Sequence, residues 1–168
     1  MNVVLCTLQD SPTEASAVAW SPDGTRLAVA FDSAIGLWDS STGKLDRFLS
    51  EKRYGTQRLC WSPDGQWLAA ACVDENIRLF NTLSDADPRE LSGHTSYIFC
   101  VDWHPDGKRL ASASYDNAVK IWDVTSGQET LTLDAHRSTV WCVAWSPDGK
   151  RLASSGHDKT IRIYDTTA

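Results

Sequence analysis

Val18–Asp39 reads VAWSPDGTRLAVAFDSAIGLWD, and Val143–Asp165 reads VAWSPDGKRLASSGHDKTIRIYD. Two such similar stretches in a chain of 168 residues mean an internal repeat, and a repeat constrains architecture before any local propensity does. The pentapeptide WSPDG stands at Trp20, Trp61 and Trp145, with WHPDG at Trp103, so the intervals are 41, 42 and 42 residues. Seven residues after each Trp comes a Leu (Leu27, Leu68, Leu110, Leu152), and then an Asp (Asp32, Asp74, Asp116, Asp158). Six residues beyond that Asp stands an aromatic: Trp38, Phe80, Trp122 or Tyr164. The first interval is shorter because the first copy lacks one residue between Leu27 and Asp32.

Within each copy the apolar residues alternate, as in FCVDW, RLASAS and VKIWD. Period two over runs this short is the pattern of strands. PDG supplies one tight turn, since Pro presets φ, Asp bonds nearby backbone and Gly tolerates positive φ. YDNA and HDKT mark a second turn, and STGK and TSGQ a third. Each unit is therefore predicted to be a four-stranded antiparallel meander. One meander cannot bury both its faces, so the units must stack, and four strands per roughly 40 residues point to a propeller rather than a helical solenoid.

Ser92 to His94 (SGH), WHPDGKRLASAS and YDNAVKIWD together resemble the WD40 (WD-repeat) family, and all four copies take part. The resemblance implies an all-β, WD40-type β-propeller with four blades per chain. Blade units are expected at about 9–49, 50–91, 92–133 and 134–168, with residues 1–8 as a closing outer strand. Leu8 lies twelve before Trp20, as Leu49, Leu91 and Leu133 lie before their own Trp, which assigns Val3 to Leu8 to the outer-strand slot of the last blade. Four blades closing alone would each turn by about 90°, whereas two chains in an eight-bladed ring need about 45°. The expectation is a homodimer with strand exchange, the alternatives being a four-bladed monomer or a piece of a longer propeller.

Composition narrows the function. The chain is 42% apolar and 23% charged, with a formal charge of −6. Its Lys and Arg are scattered along the chain, never more than two together, so it carries no footprint for nucleic acid or an anionic membrane. The opening MNVVLCTLQD has no basic segment or cleavage site of a signal peptide, and no run of 18 apolar residues follows. Five cysteines, none in a C-x-x-C spacing, read as reduced thiols of a cytoplasmic protein.

His94, Ser112, Asp116 and Trp122 in the third unit, and His136, Ser154, Asp158 and Tyr164 in the fourth, fall where the family places a structural hydrogen-bond network. An imidazole between a hydroxyl and a carboxylate also describes a hydrolase triad. Its repetition at the repeat period, on strands packed between neighbours, favours structure over catalysis. The first two units have Ser11 and Lys52 at the His position and apolar residues at the Ser position. Those blades are expected to lack the network and to rely mainly on packing of Trp20, Leu27, Trp38, Trp61, Leu68 and Phe80.

In this family the partner-binding face often bears the loops before the innermost strand and the second turn. Mapped by motif, Tyr97, Phe99, Tyr115, Trp141, His157 and Phe31 form a candidate partner-binding set, since aromatic side chains supply rigid contact area. Arg58, Arg53 and Lys52 read as a small solvated basic rim. No catalytic residue, cofactor or metal ligand is assigned. The expected function is a non-catalytic protein-protein interaction scaffold that self-associates and docks a protein or peptide partner. The alternatives are an architectural self-assembling ring without a ligand, natural or engineered, and a small hydrolase or metal-binding propeller.

Overall fold

The computed structural model describes residues 14–133 and 136–167. Among them every regular element is a strand, and the strands form four antiparallel sheets. The first sheet holds β1 (Ala15–Trp20), β2 (Arg26–Phe31), β3 (Ile35–Asp39) and β4 (Leu45–Ser50). The second holds β5 (Thr56–Trp61), β6 (Trp67–Cys72), β7 (Asn76–Asn81) and β8 (Arg89–Ser92), and the third β9 (Ile98–Trp103), β10 (Arg109–Ser114), β11 (Val119–Asp123) and β12 (Gln128–Leu133). β13 (Val140–Trp145), β14 (Arg151–Gly156) and β15 (Ile161–Asp165) make the fourth. Strands run in sequence order within each sheet, the arrangement of a propeller blade. Val3 to Leu8, expected as the outer strand of the last blade, lies outside the described residues.

The SPDG turns close β1 to β2 and their counterparts by the same device. Gly24 N–H donates to Ser21 O at 2.9 Å, Ser21 Oγ donates to Asp23 at 2.6 Å, and the Arg26 N–H donates to Ser21 Oγ at 2.9 Å. Gly24 takes φ +70, a conformation that glycine adopts without a Cβ penalty. In the third copy His104 replaces the Ser. Its Nδ1 accepts from Asp106 N–H at 3.0 Å, and Nε2 reaches Gly149 O, 2.9 Å away in the next blade. The ring also meets Trp145 edge-on, with centroids 4.6 Å apart.

Blade stacking repeats one recipe. Ile35 and Leu37 of β3 pack on Leu59, Trp61 and Leu68 of the second blade. Ile77 and Leu79 do the same for Val101, Trp103 and Leu110, and Val119 and Ile121 for Val143, Trp145 and Leu152. At the first two boundaries hydrogen bonds lock the register between blades: Trp61 Nε1–H donates to Ala19 O at 2.9 Å, and Trp103 Nε1–H to Cys60 O at 3.0 Å, whereas the buried Trp145 Nε1 has no such partner. Two surfaces lie outside this pattern. Trp20 is 60% exposed where Trp61, Trp103 and Trp145 are at most 8%, and Val18 beside it is also exposed. At the other end Ile161 and Ile163 are 78% and 68% exposed. The expected packing role of Trp20 is therefore corrected: no preceding blade covers it among the described residues.

The second blade also departs from expectation. It lacks the His network, yet it is not held by packing alone. Arg78 is buried, bonds Asp74 with two nitrogens at 2.8 and 2.6 Å, reaches Glu90 at 3.0 Å, and stacks over the Tyr54 ring at 3.9 Å. A guanidinium thus anchors the turn Asp that a histidine holds in the later blades.

Candidate functional site

Each inner strand carries a β-bulge at the same place. Pairing jumps from Ala15 to Ala17, from Thr56 to Arg58, from Ile98 to Cys100 and from Val140 to Cys142. The residue left over, Ser16, Gln57, Phe99 or Trp141, is the one four before the repeat Trp. A bulge re-aims the side chain it inserts, so four equivalent side chains are turned out at one end of the blades. In the first two blades they are polar. In the last two they are aromatic, and they meet: the Phe99 and Trp141 centroids lie 4.7 Å apart across the blade boundary. Tyr115 extends the cluster, 6.4 Å from Phe99 and 6.5 Å from Tyr97, and its N–H donates to Tyr97 O at 2.9 Å. Tyr97, Tyr115 and Trp141 are each about half exposed, at 52%, 56% and 46%, while Phe99 is half-buried beneath them. The result is an aromatic ledge spanning the third and fourth blades.

The same two blades carry the two histidine networks. His94 Nδ1–H donates to Asp116 Oδ2 at 2.7 Å, Ser112 Oγ donates to His94 Nε2 at 2.7 Å, and Trp122 Nε1–H donates to Ser112 Oγ at 2.8 Å. The donors run in one direction from indole to carboxylate, which assigns the Nδ1–H tautomer from the bonding pattern. Asp116 also accepts from the N–H groups of Thr95 and Ala118, both at 3.0 Å. Burial pushes the Asp116 carboxyl up, but hydrogen bonds from His94 and Thr95 outweigh it and hold it down at about 2. In the fourth blade His136 Nδ1 sits 3.0 Å from Asp158 Oδ2, Nε2 is 2.7 Å from Ser154 Oγ, and Tyr164 OH is 3.3 Å from that hydroxyl. Asp158 is likewise held well below the usual carboxylate range: burial opposes this, and bonds from Thr160, Arg137 N–H and His136 prevail. Neither imidazole offers any side-chain surface to solvent. Ser112 and Ser154 are buried as well.

The first blade shows what happens when the serine is missing. Val29 occupies its place, and the buried Trp38 Nε1 has no hydrogen-bond partner. Phe80 in the second blade has no N–H to satisfy.

Comparison with known families supplies the remaining observation. The family model for the WD domain, G-beta repeat, matches residues 3–39, 54–81, 87–123 and 127–165. The chain belongs to the WD40 family. Among curated relatives it is similar to Protein HIR1 of Cryptococcus neoformans, 36% identical over 66 residues, covering 39% of this chain and 8% of that protein. It is also similar to human WD repeat-containing protein 19, 33% identical over 91 residues (53% of this chain, 7% of the relative). Apoptotic protease-activating factor 1 of Danio rerio is 32% identical over 83 residues (49% and 7%). The matches thus span less than a tenth of each of these relatives' length.

Within this WD40 chain, one candidate on the aromatic face is corrected. Phe31 is 4% exposed and packs on Trp38, with centroids 5.6 Å apart. Counting back from the turn Asp aligned it with Val73 and Tyr115, but the residue missing from the first copy is the turn residue itself. The pairing of Ala30 with Ile35 makes Ala30 the equivalent of Ala71 and Ala113, so Phe31 stands where Cys72 and Ser114 stand, inside the sheet. His157 is exposed on the second turn of the last blade and lies 3.3 Å from Ser138 Oγ, away from the aromatic contacts. Of the basic rim, Arg53 pairs with Asp32 at 3.0 Å and Lys52 with Asp87 at 3.3 Å, all four largely exposed. The sequence reading missed His104 and Arg78, whose partners lie in other turns or strands. A His in the Ser position of WSPDG and a lone Arg on an apolar strand were the available signals.

Proposed function

We propose that this WD40 chain is a non-catalytic protein-interaction scaffold that docks a peptide or partner domain on the aromatic ledge of its third and fourth blades. The observation that carries the reading is the grouping of Tyr97, Phe99, Tyr115 and Trp141: bulges aim Phe99 and Trp141, and Tyr97, Tyr115 and Trp141 are left about half open to solvent. Tyr and Trp dominate the energetics of protein interfaces because they offer large, stiff, amphipathic contact. The two His–Asp–Ser sets are fully occupied in bracing the blades that carry the ledge, which is why we assign them no catalysis.

Selection of a displayed random-peptide library on the whole chain tests this. Peptides enriched on the parent chain should lose binding to a Tyr115→Ala/Trp141→Ala variant that keeps the parent's melting temperature. Enrichment that survives both substitutions would move the site elsewhere and defeat the proposal.

A specific observation favours self-association as well. Val18 and Trp20 at one end, and Ile161 and Ile163 at the other, are the two halves of the same interface that the chain builds three times internally. We infer that a second copy supplies the missing halves, the third strand of one last blade covering the inner strand of its partner's first. Each aliphatic side chain left in water forgoes about 1.5–3 kcal/mol, so the open ends favour such closure. Light scattering reads it directly, and a monomeric mass would assign these faces to further blades instead.

A further inference from the structure

Three residues before each repeat Trp stand Ala17, Arg58, Cys100 and Cys142, one on each inner strand just past the bulge. Cys100 and Cys142 face each other across the boundary of the third and fourth blades, with sulfurs 3.6 Å apart. Both point at the Val143 carbonyl, at 3.6 and 3.7 Å. Cys100 is buried and Cys142 is exposed. A buried thiol touching an exposed one has the layout of a resolving and an attacking cysteine.

We propose that Cys100 and Cys142 are a hydroperoxide-responsive thiol pair that closes into a disulfide between the third and fourth blades. Cys142 thiolate attacks one peroxide oxygen, the O–O bond breaks, and hydroxide leaves and becomes water with the proton Cys142 gave up. The product is Cys142 sulfenic acid. Cys100 sulfur then attacks the Cys142 sulfur, the S–S bond forms, the S–O bond breaks, and the departing oxygen leaves as water with the Cys100 proton. Two thiols are oxidised, one peroxide is reduced, and no other reactant is needed. The sulfurs must approach by about 1.5 Å to reach bonding distance.

The surroundings divide the labour between the two thiols. The hydrogen bond from Cys100 draws the Cys142 thiol down to about 6, with partial burial opposing it and Arg58 assisting. That same bond, with burial, pushes the Cys100 thiol up. The other described thiols are ill suited: burial and the Asp102 carboxylate push Cys60 up to about 12, and burial pushes Cys72 up to about 11. The pair sits one residue from Phe99 and Trp141, so the bond would pin together the two strands that carry the ledge. The inference stands whether or not the ledge docks a peptide.

The whole chain in a Cys6→Ser background, treated with one equivalent of hydrogen peroxide and then alkylated, provides the test. The expected product carries two fewer alkyl groups than the alkylated untreated chain, with tryptic peptides Glu90–Lys108 and Ser138–Lys150 linked, and dithiothreitol should reverse it. Its formation should outpace glutathione oxidation about tenfold. Cys60→Ser should leave the link intact, Cys142→Ser should abolish it, and Cys100→Ser should stop at a sulfenic acid that dimedone traps. Accumulation of Cys142 sulfinic acid in the otherwise unsubstituted pair, links between chains only, or a rate no greater than that of glutathione would overturn the proposal.

Discussion

Asp116 gathers bonds from an imidazole and two backbone N–H groups, and these bonds exist only in the folded chain. Its carboxyl, held at about 2 against an ordinary value of 3.8, binds fewer protons folded than unfolded. It therefore contributes stability above about pH 4 that is lost as the pH falls through about 2. Asp116→Asn should cost about 1–2 kcal/mol in urea unfolding near neutral pH, allowing for partial solvent screening. That gap to the parent should shrink between about pH 4 and pH 2, and a gap independent of pH would count against the assignment. The indoles offer a second comparison. Trp122→Phe deletes the bond that the indole donates to Ser112 Oγ, whereas Trp38→Phe removes an N–H that already lacks a partner. Trp122→Phe should be the costlier by about 1 kcal/mol, and equal losses in thermal unfolding would refute that difference. These networks were legible in the sequence because their members recur at the repeat period. His104 and Arg78 were not, since His104 answers to a glycine one whole repeat later and Arg78 to an aspartate across its turn, and neither pairing leaves a periodic trace.

Strands and turns were legible from alternation and from the PDG triplets, but the placement of a missing residue was not. Phe31 shows why: two alignments fit the same spacing, and only strand pairing separates them. The shortened turn also removes a left-handed residue. The later copies place Glu75, Asn117 and Lys159 at φ 70, 73 and 63, where a Cβ costs energy and asparagine suffers less than most. Lys159→Gly and Glu75→Gly should each raise stability by about 0.5–1 kcal/mol, and Asn117→Gly by less. Urea midpoints for the three variants check the order, which reverses if side-chain contacts rather than backbone strain govern these turns. The bulges lay beyond the sequence for a different reason: a bulge is a property of two paired strands, and the extra residue looks like any other in one strand read alone. Their consequence is large, because they convert an inward alternation into the outward display of Phe99 and Trp141.

At the level of the whole molecule, a single interface is written three times, and its two unmatched halves are left at the ends of the described chain. Ile35, Ile77 and Val119 are buried, while Ile161, their equivalent in the last blade, is the most exposed large apolar side chain of the set. The repeat arithmetic foretold this stacking. The same arithmetic leads to the expectation of a homodimer, with a piece of a longer propeller as an alternative, since a second copy and a further blade would cover the same faces. Multi-angle light scattering of the chain at micromolar concentration, alongside an Ile163→Asp variant, addresses this most directly. The expected result is a mass of two chains for the parent and one chain for the variant. A parent of single-chain mass, or a variant that remains paired, would contradict the claim that each end is completed by its partner's opposite end.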